Sequence, residues 1–385
     1  MTDDAPYLLD VTRLIWRRWK GRFPTGVDRV CLAYLGHFAE RSQAVIQHDR
    51  LRRILSREAS KELFDLLEGP ADRFRRKLPL GALRHLTGLN EKGRGRPYLN
   101  VGHTGLNSIG FRHWVSRADV RPVYLVHDLI PITHPEYCRA GEAERHRERM
   151  RSVLTTGAGV IGNSQATLDD LARFANDEGL KMPPSVAAWL GTDPLPAAVA
   201  VNEADRPTFV VLSTIEARKN HLMLLQVWER LIDRLGSKTP LLLIIGQRGW
   251  EAAPVFDLLD HSEKLRSHVV ELNHCSDEEL AGHLSSARAL LFPSLVEGYG
   301  LPLVEALGLG VPVIASDLPV FREIGGHIPT YRNPTDETQW EETILDYAET
   351  DSAKRKSQLQ RLTGFNSPSW PVHFDKVEKW LSSLG

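Results

Sequence analysis

One stretch of this chain has the residue types to hold a diphosphate and the sugar attached to it. Phe292-Pro293-Ser294-Leu295-Val296-Glu297-Gly298-Tyr299-Gly300-Leu301-Pro302-Leu303-Val304-Glu305 reads as a strand end, a glycine-bearing turn and a helix whose first turn tolerates Pro302. Free backbone amides then collect near Gly300 to Leu303. A helix N-terminus with its partial positive charge suits a phosphate or pyrophosphate, and Gly298 and Gly300, on either side of Tyr299, let the backbone come close to it. Glu297 precedes the turn and Glu305 lies about one turn into the helix. They are spaced to meet a group beyond the phosphates and a hydroxyl pair beside them, because carboxylates accept hydrogen bonds from sugar hydroxyls. The same spacing fits a helix-capping Glu297 and a surface Glu305. A second element, Ser213-Thr214-Ile215-Glu216-Ala217-Arg218-Lys219-Asn220-His221, follows the apolar run Thr208 to Leu212. Lys219, with Arg218, could neutralise a departing diphosphate; solvated surface cations would look the same. In the first half, His127-Asp128 follows another apolar run, and Thr25-Gly26 precedes an amphipathic segment. A histidine at a strand's carboxyl end can donate to a sugar hydroxyl, and Gly26 lets a loop approach. A structural hydrogen bond between His127 and Asp128 fits equally.

Short apolar runs alternating with helical periods argue for α/β architecture with parallel sheets. TFVVLS (208–213) and LLLIIG (241–246) read as buried strands, with Leu224, Val227, Trp228, Leu231 and Leu235 at helical spacing between them. Val269 to Leu272, Ala289 to Phe292 and Pro312 to Ala315 continue the series. Tyr7 to Val11, Val123 to Val126 and Gly159 to Gly162 read as strands of a first α/β half. The Arg-rich segment Gln47 to Pro97, with its Gly93-Arg94-Gly95-Arg96-Pro97 tract, fits helices plus a mobile loop. The proline- and alanine-rich Pro194 to Pro207 reads as a linker. Two halves joined there would enclose a cleft, and open α/β sheets bind ligands at the carboxyl ends of their strands.

Composition narrows the class. At 385 residues, 42% apolar and 25% charged, the chain suits two ordinary domains. Cys31, Cys138 and Cys275 form no CxxC pair, so neither a disulfide framework nor a thiolate metal site is expected. No apolar run approaches the ~18 residues of a membrane span, and from the acidic start MTDDAPYLLD no secretory signal is expected. The net charge of −1 hides a basic excess between Arg13 and Arg96, which suits phospholipid headgroups, pyrophosphate-linked lipids or nucleic acid; a solvated basic face with no partner fits too. No G-x-G-x-x-G follows a strand, and there is no P-loop, H-E-x-x-H, Asp-x-Asp or G-x-S-x-G. Dehydrogenase, P-loop and hydrolase readings weaken accordingly.

These motifs together resemble the retaining glycosyltransferases of the GT-B fold, family 4. Glu297 to Glu305 resembles that family's E-x7-E motif, and ALGLGVPVIAS (306–316) and LPVFREIGG (318–326) resemble its continuation. STIEARKN resembles a T-I-E-P-R-K-N variant. Asn273 to Leu280, VIGNSQAT (160–167) and Leu190-Gly191-Thr192-Asp193 resemble further family segments, and His127 to Pro131 looks like the H-D-L-I-P form of a subgroup with mannosyl- and rhamnosyltransferases. The matches span about residues 120–330.

The resemblance implies two Rossmann-like domains facing a central cleft: 1–195 with about 370–385 for the acceptor, 206–369 for a nucleotide-sugar, and a linker over 194–207. It implies that Lys219 contacts the diphosphate, Glu305 the ribose and Glu297 the donor sugar, with Gly298, Tyr299, Gly300 and Leu301 lining the donor site through their backbone. His127 would sit near the transferred sugar, Asp128 and Gly26 toward the acceptor side, and Cys275 near the base. Ser213 or Thr214 stands where many members carry a further basic residue, for which Arg218 could compensate, and Thr25-Gly26 replaces a double glycine.

The implied reaction is front-face transfer with retention, needing no metal and no cofactor. The substrate is a GDP- or UDP-sugar, GDP-mannose first, and the acceptor a glycan or lipid-linked chain of surface polysaccharide. Other chemistry at a nucleotide sugar, such as epimerisation, and a catalytically silent glycan- or nucleotide-binding module are the competing readings. A cytoplasmic location is implied and nucleic acid is not among the partners. Arg13 to Phe23 (RLIWRRWKGRF) reads either as peripheral contact with an anionic membrane face or as a basic acceptor-binding or structural loop.

Overall fold

Strands covered by helices on both faces have no polar side to alternate with, and the chain's continuous apolar runs form two parallel sheets for that reason. A computed structural model describes residues 5–21, 25–48, 51–70, 74, 91–196 and 206–384. The chain divides into two units: Met1–Ile132, Gly141–Leu190 and Trp370–Gly385 form the first, Thr133–Ala140 and Gly191–Ser369 the second.

In the first unit, β1 (Tyr7–Asp10), β2 (Ser42–His48), β3 (Leu51–Ile54), β4 (Arg96–Asn100), β5 (Val120–Val126), β6 (Gly159–Gly162) and β7 (Ser185–Ala187) make one sheet. Its order is β3-β2-β1-β4-β5-β6-β7, parallel except for the β2–β3 pair. The C-terminal helix Trp370–Ser383 belongs to this unit. His373 Nδ1 donates to the Trp189 carbonyl at 3.0 Å, so its Nε2 accepts from the Tyr34 hydroxyl at 2.9 Å.

In the second unit, β8 (Thr208–Leu212), β9 (Leu241–Ile245), β10 (Val269–Leu272), β11 (Ala289–Phe292), β12 (Val313–Ser316) and β13 (Thr330–Arg332) run parallel in the order β10-β9-β8-β11-β12-β13. The helix His221–Leu235 buries Leu224, Val227, Trp228 and Leu231, the face its 3.6-residue period marks. Trp228 donates its indole N–H to the Pro240 carbonyl at 2.9 Å. In each sheet the strand order reverses once, between β1 and β4 and between β8 and β11. Loops diverge at such a switch point and leave room for a ligand at the carboxyl ends.

The segment 47–97 departs from expectation, supplying the end of β2, all of β3, the helix Arg57–Glu68 and the start of β4. Arg96, expected in a mobile tract, is buried, with its guanidinium donating to the carbonyls of Ala5, Gly93 and Lys92 and to Gln43 Oε1. Partners distant in sequence stabilise a buried cation that local composition marks as loop. Residues 49–50, 71–73 and 75–90 of that segment, 197–205 of the expected linker, and Arg22 and Phe23 of the basic stretch lie outside the described residues.

Candidate active site

The two loops at the second unit's switch point are laced together before any side chain meets another. After β8 the chain bridges Ile215 to Arg248 in parallel, then makes one tight turn over Ala217–Lys219. Asn220 follows at φ 60°, a left-handed geometry asparagine tolerates, and its amide donates to the carbonyls of Pro293 (3.2 Å) and Pro334 (2.8 Å). Leu295 N donates to the Arg218 carbonyl at 2.8 Å. The loop after β8 is thereby held against the loop after β11.

That lacing brings Lys219 onto Glu297. The Lys219 ammonium pairs with Glu297 Oε1, the Arg218 guanidinium reaches Oε2 at 3.0 Å, and the Ser294 hydroxyl donates to Oε1 at 2.8 Å. Arg218 also reaches Glu216 Oε1 at 2.6 Å. Burial raises the Glu297 pKa, but Lys219 and Arg218 outweigh it and hold the carboxyl down at about 2. Burial, then Arg218, lower the Lys219 pKa against the pull of Glu297. Glu297 therefore does not cap the helix; Gly300 stands at that position.

Helix Leu301–Gly308 starts from Gly300 at φ 116°, with the amides of Leu303 and Val304 both bonded to the Gly300 carbonyl. A Cβ on Gly300 would lie 2.8 Å from Phe321 Cε1. Pro302, in the helix's first turn, has no N–H to satisfy. Tyr299 and Glu305 are buried, so the surface position for Glu305 is not realised, while Gly298 is half-buried.

Ser213 and Thr214 pack against the loop after β9: Ser213 N donates to Ile245, and a Cβ on Gly246 would overlap the Ser213 carbonyl. Ser213 Oγ lies 3.3 Å from His221 Nε2. Cys275 follows β10, two places from β8 in the sheet, just before Ser276 caps the next helix. Burial, with Glu279 and Asp277 nearby, raises its thiol pKa.

In the first unit, three imidazoles cluster at the carboxyl end of β5. His127 Nε2 donates to the Val101 carbonyl at 2.7 Å, His103 Nε2 to Leu125 at 2.9 Å and His146 Nε2 to Asp128 at 3.0 Å. The His103 ring lies 5.2 Å from that of His127 and 5.9 Å from that of His146. Burial lowers all three pKa values, His127 to about 4, so the rings are neutral near pH 7. This corrects one expectation. With the N–H of His127 committed to Val101, Nδ1 is left as an acceptor, and the ring is set to accept a hydrogen bond rather than donate one. Asp128 Oδ1 accepts from Ile130 N at 3.1 Å in a local turn, while the His127 N–H goes to Val101 instead. Gly26 opens the helix Gly26–Phe38, exposed, behind a Thr25–Asp28 capping box.

Three contributors escaped the sequence reading. Glu216, Ser294 and Asn220 lie inside the quoted motifs, but one charge, one hydroxyl and one amide in a loop carry no periodic signal.

Residues 198–357 match the family described as glycosyl transferases group 1. Over that stretch the second unit is similar to the group 1 glycosyl transferases. The chain is 28% identical over 267 residues to the serotype-specific mannosyltransferase WbdA of Escherichia coli, covering 62% of this chain and 32% of that protein. It is 26% identical over 257 residues to the O-antigen chain mannosyltransferase B of E. coli, covering 65% and 67%, and 39% identical over 120 residues to the O-antigen chain mannosyltransferase RfbU of Salmonella typhimurium, covering 31% and 32%. The chain thus spans about a third of the length of WbdA. Among solved structures, Anabaena HepE in complex with UDP-glucose superposes with a TM-score of 0.68 at 15% identity, over 98% of this chain and 99% of that one. Sucrose-phosphate synthase from Thermosynechococcus elongatus gives 0.62 at 16% identity, over 99% and 100%. Together with the two Rossmann-like units, these likenesses identify a GT-B fold.

Proposed function

We propose that this protein is a group 1 glycosyl transferase that moves a sugar from a nucleotide-sugar, GDP-mannose first, to a glycan or lipid-linked acceptor in surface polysaccharide assembly. The observation that carries the reading is the Lys219–Glu297–Arg218 cluster at the second unit's switch point, beside the N-terminus of helix Leu301–Gly308. The likeness to the mannosyltransferases WbdA, B and RfbU supports mannose, and the UDP-glucose in HepE supports a nucleotide-sugar donor.

In this reading Lys219 leaves Glu297 for the diphosphate, Glu305 takes the ribose hydroxyls and Glu297 turns to the donor sugar. Gly298, Tyr299, Gly300 and Leu301 line the donor, with the helix-end backbone facing its phosphates or sugar. The bond from the anomeric carbon to the phosphate oxygen breaks, and the acceptor oxygen forms the new bond on the same face. The acceptor's proton passes to a phosphate oxygen of the leaving diphosphate. Configuration is retained, no protein nucleophile is required, and Lys219 and the amides stabilise the leaving charge in place of a metal. Ser213, Thr214 and Cys275 flank the nucleotide, while His127 Nδ1 accepts from a sugar hydroxyl and Gly26 and Asp128 border the acceptor.

A thermal-shift screen against GDP-, UDP- and ADP-sugars tests the reading. A ligand at about 100 times its Kd stabilises the fold that binds it by ~2.7 kcal/mol, so the melting temperature should rise with GDP-mannose concentration. Transfer should persist in EDTA and give a product of retained anomeric configuration. A protein that neither binds nor hydrolyses any of these sugars overturns the assignment.

Nucleotide-sugar donors and a lipid-linked acceptor would place the enzyme in the cytoplasm against the inner membrane face. No helix among the described residues is long and apolar enough to cross a membrane. Helix Thr12–Lys20 exposes Trp16 and Trp19, three residues apart on one face, together with Lys20. Arg13 and Arg17 are instead committed to the buried Asp28, at 2.6 and 2.7 Å. Vesicles containing phosphatidylglycerol should float the protein, and Trp16→Ala with Trp19→Ala should weaken that binding about tenfold or more, since burying each large side chain contributes ~1.5–3 kcal/mol. Unchanged flotation of the double variant would assign the helix a structural role.

A further inference from the structure

Glu216 is a carboxylate that stability alone does not explain. Its side chain is 3% exposed, Oε1 takes the Arg218 guanidinium at 2.6 Å, and Oε2 is buried with no hydrogen-bond partner. A buried, half-satisfied carboxylate destabilises the fold that holds it. Ile215, bridged to Arg248, and Gly249, whose Cβ position would lie 3.6 Å from Glu216 Cβ, wall it in. From Glu216 the charges alternate along one chain of contacts: Glu216 to Arg218, Arg218 to Glu297, Glu297 to Lys219. Two acids and two bases balance.

We infer that Glu216 is a positioning residue that anchors Arg218, so that Glu297 keeps a fixed cationic partner when Lys219 leaves it for the donor diphosphate. The inference rests on the function proposed above and deepens it. In that reading Lys219 and Glu297 must part, because one meets the diphosphate and the other the sugar. A buried carboxylate deprived of its cation is costly, and Arg218 would itself be drawn to the diphosphate unless something held it. Glu216 takes Nη2 of Arg218, leaves Nη1 on Glu297, and supplies that hold. The chain thus has a fixed end at Glu216 and a mobile end at Lys219.

Steady-state kinetics on Glu216→Gln, Glu216→Asp, Arg218→Gln and the double variant Glu216→Gln/Arg218→Gln, with GDP-mannose, test this. Glu216→Gln should lower kcat about 10- to 100-fold while the donor KM changes less than about threefold, because the diphosphate contact of Lys219 survives and the sugar contact of Glu297 loses its orientation. Glu216→Asp should recover part of the loss. Adding Glu216→Gln to Arg218→Gln should cost little more than Arg218→Gln alone, since residues acting through one another are not additive. Unchanged kcat in Glu216→Gln, additive losses in the double variant, or a Glu216→Gln protein that loses kcat, GDP binding and melting temperature together would overturn the inference and leave the function standing. Wild-type protein without turnover on any nucleotide-sugar would instead remove the reading beneath it.

Discussion

Lys219→Met should leave a folded protein whose turnover with its nucleotide-sugar falls about 10²- to 10³-fold, the size of losing one preorganised charge-stabilising donor. Methionine keeps most of the lysine's length and apolar stem, and the side chain lies against the Phe292 ring, 5.6 Å from ammonium to centroid. Breaking a buried pair usually costs 3–5 kcal/mol because the abandoned charge is left alone. Here Glu297 retains Arg218 at 3.0 Å and Ser294 at 2.8 Å, so the loss of stability should be smaller than that. Thermal melts and kcat measured on the same preparation separate the two effects. A kcat within about threefold of wild type would show that the diphosphate leaves without help from Lys219.

Gly300→Ala should act through the fold first. Its φ of 116° lies where L side chains are strained, and the new Cβ would sit 2.8 Å from Phe321 Cε1 and 3.4 Å from Phe292 Cε1. Those two rings stack at 4.7 Å and are buried, so neither can retreat freely. Backbone strain of about 1–3 kcal/mol and overpacking of about 1–3 kcal/mol give roughly 2–6 kcal/mol together. For a unit of this size, each kcal/mol lowers the melting temperature by about 2–4 °C. A drop of roughly 5–20 °C, with a blunted response to nucleotide-sugar, is the expected outcome. Melting within about 2 °C of wild type would mean that the turn relaxes and the glycine is dispensable.

Both predictions concern residues that the sequence had already singled out, and the reason is local. Gly300 stands before a proline in a helix's first turn, and Lys219 follows a buried strand by a few residues, so each is marked by its immediate neighbours. What other residues of the site do is decided by partners far along the chain. Arg218 meets Glu297 across 79 residues, and His127 meets Val101 across 26. The first pairing shows that Arg218 steadies a carboxylate; the second shows which nitrogen of His127 carries the proton.

The first unit makes the same point in its core. The Tyr98 hydroxyl donates to Asp10 across 88 residues at 2.6 Å, and Gln47 donates to the same carboxylate at 2.6 Å. Gln47, at the end of β2, and the start of β4, the strand that holds Tyr98, lie in the segment that read as helix and loop.

By itself the sequence determined that there are two covered parallel sheets and where the chemistry-bearing turns fall. An apolar strand and an amphipathic helix are written in the order of neighbouring residues. Only the tertiary structure decided that Arg96 and Asp10 are buried, that Glu216 anchors an arginine, and that His127 offers a lone pair. A buried polar group is stable only with its partners in place, and folding, not sequence order, brings those partners together.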